Sequence, residues 1–335
     1  ARVQDKALPL AVDVIGDMLA SSLIDAKEFE NERTVILEEL AMNDDDPQDV
    51  AHEAFAEAVL GGHPLGRPIG GTNETITAVT RDAVWSHYQA NYRPQDLVIA
   101  AAGGVEHGDL IALVEKSLIE AGWDLNKKAA PVERRLLHPA TISRGTELKV
   151  IKRPIAQANV LLGMQGLVAD DERRYAMGIL NTVLGGGMSS RMFQEIREKR
   201  GLAYSVDAFP VTYSDAGAFG VGAGCSPKAV GEVLGLIREG LDGMKTITPH
   251  ELLRARGQIL GSATLALESM DARMNRLARA EFIGEYRDLD ETERLLDLVT
   301  VDSVGALATE LAAGPLVVSV VGDVTEAQIA GYVNA

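Results

Sequence analysis

Residues Asp25–Leu60, DAKEFENERTVILEELAMNDDDPQDVAHEAFAEAVL, decide how the chain is read. Asp25 is placed to cap a helix, with Glu28 at the third helical position, an Asp variant of the capping box. On a helix of about 3.6 residues per turn, Phe29, Ile36 and Leu40 share one face, with Val35 at its edge. Glu32 and Glu39 fall on that same face, because seven residues make nearly two whole turns, while Glu38 points away. An ionised carboxylate buried without a partner costs several kcal/mol, so each of the two calls for a cation. The residues alone leave that cation open: an Arg or Lys from elsewhere in the fold, or a metal ion. Asp46 then caps a second helix, with Pro47 in its first position, running to about Leu60.

The chain has 335 residues, 46% of them hydrophobic, enough for two cores; a single core stops growing beyond ~250–300 residues. A charged fraction of 24% is that of an ordinary soluble globular protein. The formal net charge of -17 excludes the basic footprint of nucleic-acid binding. The lone cysteine, Cys225, allows no intrachain disulfide, which points to a reducing, cytoplasmic setting. No apolar run approaches the ~18 residues of a membrane span, and no signal peptide opens the sequence, so no membrane partner is expected.

Outward from this stretch, Pro9 starts a helix striped by Leu8, Val12, Ile15 and Leu19. A Gly/Pro-rich loop begins at Gly61, Thr80 opens a helix, and Leu97–Val105 reads as a buried strand followed by a helix from about Glu106 to Ala121. Residues 123–143 contain Pro131 and Pro139, have no sustained periodicity, and read as a linker. Strands are expected near Leu148–Lys152, Asn159–Met164, from Ala218 and over Leu316–Val324. Helices are expected over Asp171–Leu184, from Ser226, and from the capping box Thr248-Pro249-His250-Glu251.

There is an internal repeat. Thr80-x-Asp82-x-Val84 followed by Leu97–Val105 matches Thr300-x-Asp302-x-Val304 followed by Leu316–Val324. The chain therefore reads as two copies of one α+β unit. The first copy is shorter, and its opening strands and first helix are expected to lie upstream of Ala1.

These residues resemble the pitrilysin-type metallopeptidases, or inverzincins, and among them the bacterial relatives of mitochondrial processing peptidase. The resemblance rests on Glu32-Arg33-Thr34-Val35-Ile36-Leu37-Glu38-Glu39, on HPLGRPIGGT from His63, on YRPQDL from Tyr92 and the strand after it, and on GGGMSSRMFQEIREKRGLAYSV in the second half. It implies an α+β fold of two homologous α/β sandwich domains, the first truncated at its N-terminus: 1–122, a linker over 123–143, and 144–335. It implies zinc as the cofactor, Glu39 as a metal ligand, and Glu32 as a carboxylate that helps fix the site. Arg197 and Tyr204 would stabilise substrate and developing oxyanion. Asp49 and Glu53, ten and fourteen positions after Glu39, would receive an Arg side chain of the substrate.

The family's H-x-x-E-H signature, which supplies two His ligands and the Glu that activates water, does not occur here. No two of His52, His63, His87, His107, His138 and His250 lie three to five apart. The signature would lie upstream of Ala1, and this segment alone is expected to be inactive. The resemblance thus implies a zinc metalloendopeptidase acting on peptides or unfolded polypeptides held between two domains, with Arg preference, as a homodimer or with a related subunit. The alternative is a non-catalytic relative serving as a binding or assembly subunit. Gly185-Gly186-Gly187 and GVGAG from Gly220 lack the P-loop pattern and read as a helix break and a close-packed strand. Cys225 reads as a small buried apolar residue.

Overall fold

The computed structural model describes residues 1–125 and 140–332. In chain order its helices are α1 (Leu8–Ala20), α2 (Ala26–Asp45), α3 (Pro47–Leu60), α4 (Asn73–Ala78), α5 (Arg81–Asn91), α6 (His107–Glu120), α7 (Arg174–Gly185), α8 (Val230–Gly243), α9 (Pro249–Ala266), α10 (Met270–Ile283), α11 (Leu289–Asp297), α12 (Val301–Ala313) and α13 (Glu326–Ile329). Its strands are β1 (Leu148–Lys152), β2 (Ala158–Gln165), β3 (Ala203–Thr212), β4 (Gly217–Cys225) and β5 (Val317–Gly322). The architecture is α+β, as expected.

The helix starts follow local chemistry. Asp25 accepts from the amides of Lys27 and Glu28 at 2.8 and 3.2 Å. Asp46 accepts from Gln48 and Asp49 at the start of α3. Thr80 and Thr300, the paired repeat positions, each cap a helix through the side-chain oxygen. Thr248 and Glu251 form the full reciprocal capping box of α9.

Packing divides the described residues into two compact units, and the chain passes from one to the other within α2 and α9. The first gathers Ala1–Glu38, 72–125 and Ala263–Arg287; the second gathers Glu39–Gly71, 140–262 and 288–332. Most of the expected linker, residues 126–139, lies outside the described residues.

In the first unit, Gly16 of α1 lies so close to α6 that a Cβ there would meet Ser117 Oγ at 2.1 Å. Tyr88 of α5 donates its hydroxyl to the Leu19 carbonyl at 3.0 Å, tying α5 to the end of α1. Leu97–Val105 departs from its expected place as a buried sheet strand. It runs without secondary structure and pairs with no strand among the described residues. With Leu8, Val12, Ile15 and Val114 it lines an apolar cleft of about 650 Å³. The physical reason is that an apolar, β-branched run becomes a strand only when a neighbouring strand accepts its backbone hydrogen bonds.

The second unit is built on one five-stranded sheet of order β1-β5-β2-β4-β3. β1 and β5 are parallel; every other pairing is antiparallel. Along β2, Val160, Leu162 and Met164 enter one core with residues of α7, α8 and α12. Leu161 enters a second core, beneath Ala51, Phe55, Ala58 and Val59 of α3. The sheet is thus covered on both faces, which is why β4 and β5 read as continuous apolar runs rather than alternating ones. Ser319, buried in β5, donates to the Ala51 carbonyl of α3 at 3.1 Å, so the helix satisfies the strand's polar side chain. A Cβ on Gly220 would meet both Phe55 and Phe209 at 2.9 Å, so that glycine is set by close packing, as read from the sequence. Cys225 is buried, and burial pushes its thiol up to about 11, leaving it protonated at neutral pH.

Candidate active site

Arg197 and Tyr204 are seven residues apart in sequence and touch in space. Arg197 lies in a π-helical segment, Phe193–Lys199, that follows the α7 glycine break. Single π turns occur often at functional sites. The segment closes through the Leu202 amide on the Ile196 carbonyl at 2.9 Å, and the chain reverses at Gly201, φ 62°, a conformation that favours glycine. It then enters β3, where Ala203 pairs with Cys225 and Ser205 with Gly224. Those partners are adjacent, so Tyr204 is the extra residue of a β-bulge. A bulge re-aims the side chain it carries, and Tyr204 stands 77% exposed.

The Arg197 guanidinium carbon sits 5.0 Å from the Tyr204 ring centroid and 4.7 Å from that of Phe193, so the cation lies over both rings. Its side chain is 38% exposed, and its ion-pair contact, Glu198, lies at the long distance of 3.9 Å. Among the described residues this guanidinium donates no hydrogen bond, so its N–H groups are left without an acceptor. The two residues form a solvent-open pair of donors that the fold does not consume. Phe193 was not singled out by the sequence; its place four residues before Arg197 in a helical segment was the available signal.

Asp49 and Glu53 share a face of α3, as their spacing predicts. Partial desolvation raises the Glu53 carboxyl above its ordinary range, and the charges of Asp49 and then Asp44 push it further. Asp44 is an acidic neighbour the sequence reading missed; the Asp44-Asp45-Asp46 run was its signal. Asp44 is itself paired with Arg153 at 2.7 Å.

Glu32 and Glu39 do not take the inward position expected of them. Both are exposed, and no residue of α2 is fully buried. The half-buried positions of the helix are Phe29, Arg33, Ile36, Leu37 and Leu40. At about 100° per residue, both glutamates lie roughly 85–105° from the centre of that stripe, on its flank, where water solvates them. Among the described residues no group of three or more His, Cys, Asp or Glu could hold a metal ion. No helix among them is long and apolar enough to cross a membrane.

Two family profiles match the chain. One, described as the peptidase M16 inactive domain, covers residues 78–259; the other, described as insulinase (peptidase family M16), covers residues 1–73. An uncharacterized zinc protease of Streptomyces coelicolor is 44% identical over 98% of this chain and 72% of its own length. An uncharacterized zinc protease of Bacillus subtilis is 35% identical over 93% of this chain and 74% of its own. A crystal structure of a peptidase M16 inactive domain from Pseudomonas fluorescens has a TM-score of 0.77 at 20% identity, covering 93% of this chain and 74% of that one. A protease from Helicobacter pylori has a TM-score of 0.81 at 20% identity, covering 96% and 77%. These two likenesses establish the α+β fold alone.

Proposed function

We propose a peptidase function on the premise that this chain belongs to the peptidase M16 family. The curated relatives quoted above are named zinc proteases, and we assign this chain to zinc-dependent endoproteolysis of peptides or unfolded polypeptides. The observation that carries the reading is the solvent-open pair Arg197–Tyr204, held by a π turn, a left-handed glycine and a bulge. A fold that shapes its backbone this way and leaves the donors unused has prepared them for a ligand.

Arg197 and Tyr204 hold a substrate carbonyl by N–H and O–H donation, and these bonds strengthen as charge grows on that oxygen in the transition state. Asp49 and Glu53 hold the guanidinium of a substrate Arg by charge-assisted hydrogen bonds, which sets a preference for Arg near the scissile bond. Glu39 would contribute one zinc ligand, with Glu32, two turns away, as the carboxylate that would help fix the site. Among the described residues no metal site is complete. Residues 1–122 and 144–335 act as homologous halves, in a dimer of identical or related subunits.

The test is zinc content and peptide turnover of the full-length protein. Glu39→Gln lowers both. Arg197→Ala and Tyr204→Phe each lower turnover by ~10²–10³ with zinc retained. Unchanged zinc in Glu39→Gln removes it from the ligand set, and unchanged turnover in the other two removes the donor pair. A second reading, a non-catalytic binding or assembly subunit, draws support from the inactive-domain profile over residues 78–259. It predicts no turnover in the wild type.

A further inference from the structure

We propose that Phe193 is a positioning residue for Arg197: its ring is the platform that aims the guanidinium outward beside Tyr204. The inference rests on the functional reading above. Phe193 is half-buried and packs with one side against the larger core of the second unit. Its centroid lies 4.7 Å from the Arg197 guanidinium carbon, closer than that of Tyr204 at 5.0 Å. The two rings have different standing. Tyr204 is 77% exposed and free to turn toward a ligand, whereas Phe193 is anchored in the core.

An arginine side chain on a surface helix has several rotatable bonds and samples many directions. A cation over an aromatic face gains electrostatic attraction, and a planar guanidinium also stacks, so one conformer is favoured without occupying any N–H donor. That is the arrangement a donor awaiting an oxygen needs. A carboxylate in the same place would hold Arg197 more strongly but would consume its hydrogen bonds and neutralise its charge. Glu198, the acidic neighbour in reach, is at 3.9 Å and 53% exposed, and so does neither. Residues four apart on a helical segment are neighbours on its surface, which brings residue 197 beside residue 193.

The experiment compares the full-length protein with Phe193→Leu, Phe193→Tyr, Arg197→Ala and Phe193→Leu/Arg197→Ala, using a fluorogenic peptide and recording kcat, KM, zinc content and thermal midpoint. Leu keeps apolar packing and removes the ring face; Tyr keeps the face. We expect Phe193→Leu to lower kcat about 3- to 10-fold with KM and zinc little changed, the size of a partly desolvated cation–aromatic contact. Phe193→Tyr restores kcat. In the Arg197→Ala background, Phe193→Leu causes no further loss, because there is no guanidinium left to aim. Wild-type kcat in Phe193→Leu, or an equal loss with and without Arg197, overturns the inference and leaves the role of Arg197 standing. Full turnover in Arg197→Ala, or none in the wild type, overturns the functional reading and this inference with it. A loss in Phe193→Leu that follows the thermal midpoint and is not restored by Tyr assigns Phe193 to the core alone and also overturns it.

Discussion

Removing the Glu251 carboxylate should loosen the segment that carries the candidate donors, and the pH dependence of the loss identifies its cause. Glu251 receives both Arg191 Nε at 2.7 Å and Arg191 Nη2 at 2.8 Å, and it also accepts from the Thr248 amide and hydroxyl. Arg191 lies two residues before the π turn and donates to the Gly243 and Thr246 carbonyls at 2.6 and 3.0 Å, so the pair clamps that turn to the loop between α8 and α9. The side chains are 15% and 26% exposed, which places the pair among the partly buried, bidentate contacts that matter to stability. The Arg191 guanidinium holds the Glu251 carboxyl down from 4.5 to about 2.

At ~1.36 kcal/mol per pKa unit, that lowering amounts to about 3 kcal/mol at neutral pH. The sign follows from linkage. The folded-state pKa lies below the unfolded one, so the stabilisation is fully present above 4.5 and is lost as pH falls toward 2. Glu251→Gln should therefore unfold in urea with a stability lower than wild type by about 3 kcal/mol at pH 7, by roughly 1 kcal/mol at pH 3, and by little below pH 2. The wild-type–variant difference cancels the titration of all other groups that the two chains share. A difference that stays constant from pH 7 to pH 3, or one below about 1 kcal/mol at pH 7, refutes the ion pair as the source.

Two further outcomes can be checked. With a peptide pair differing only in Arg against a neutral residue beside the cleavage site, Asp49→Asn/Glu53→Gln should abolish the Arg preference. In the wild type that preference should fade on acidification at a pH above an ordinary glutamate's 4.5, because Glu53 is raised; an undiminished preference in the double variant removes the pocket. Phe55→Ala should cost about 3–5 kcal/mol in urea unfolding, because the ring is 3% exposed and meets Phe209 edge-on at 5.8 Å over two strand glycines. A loss below about 1 kcal/mol would mean that α3 does not seal the sheet's second face.

The readings that held depend on atoms within a turn or two of one another. Asp46-Pro47 starts α3, Thr80 and Thr300 each cap a helix, and Thr248 pairs reciprocally with Glu251, because a cap needs only a side-chain oxygen and an amide two or three residues on. β5 was legible because strands covered on both faces carry continuous apolar runs. What failed or stayed hidden depends on distant partners. Leu97–Val105 is an uncharged, largely apolar run, as β5 is, yet backbone pairing is decided by which strand lies beside it, and none does among the described residues. Helical spacing put Glu32 and Glu39 on the apolar face of α2, yet both are exposed, because which side of that helix is covered depends on what packs against it. Arg197 and Tyr204 could be named from a motif. Their contact required a π turn, a left-handed Gly201 and a bulge whose extra residue is defined only against Gly224 and Cys225 of the neighbouring strand.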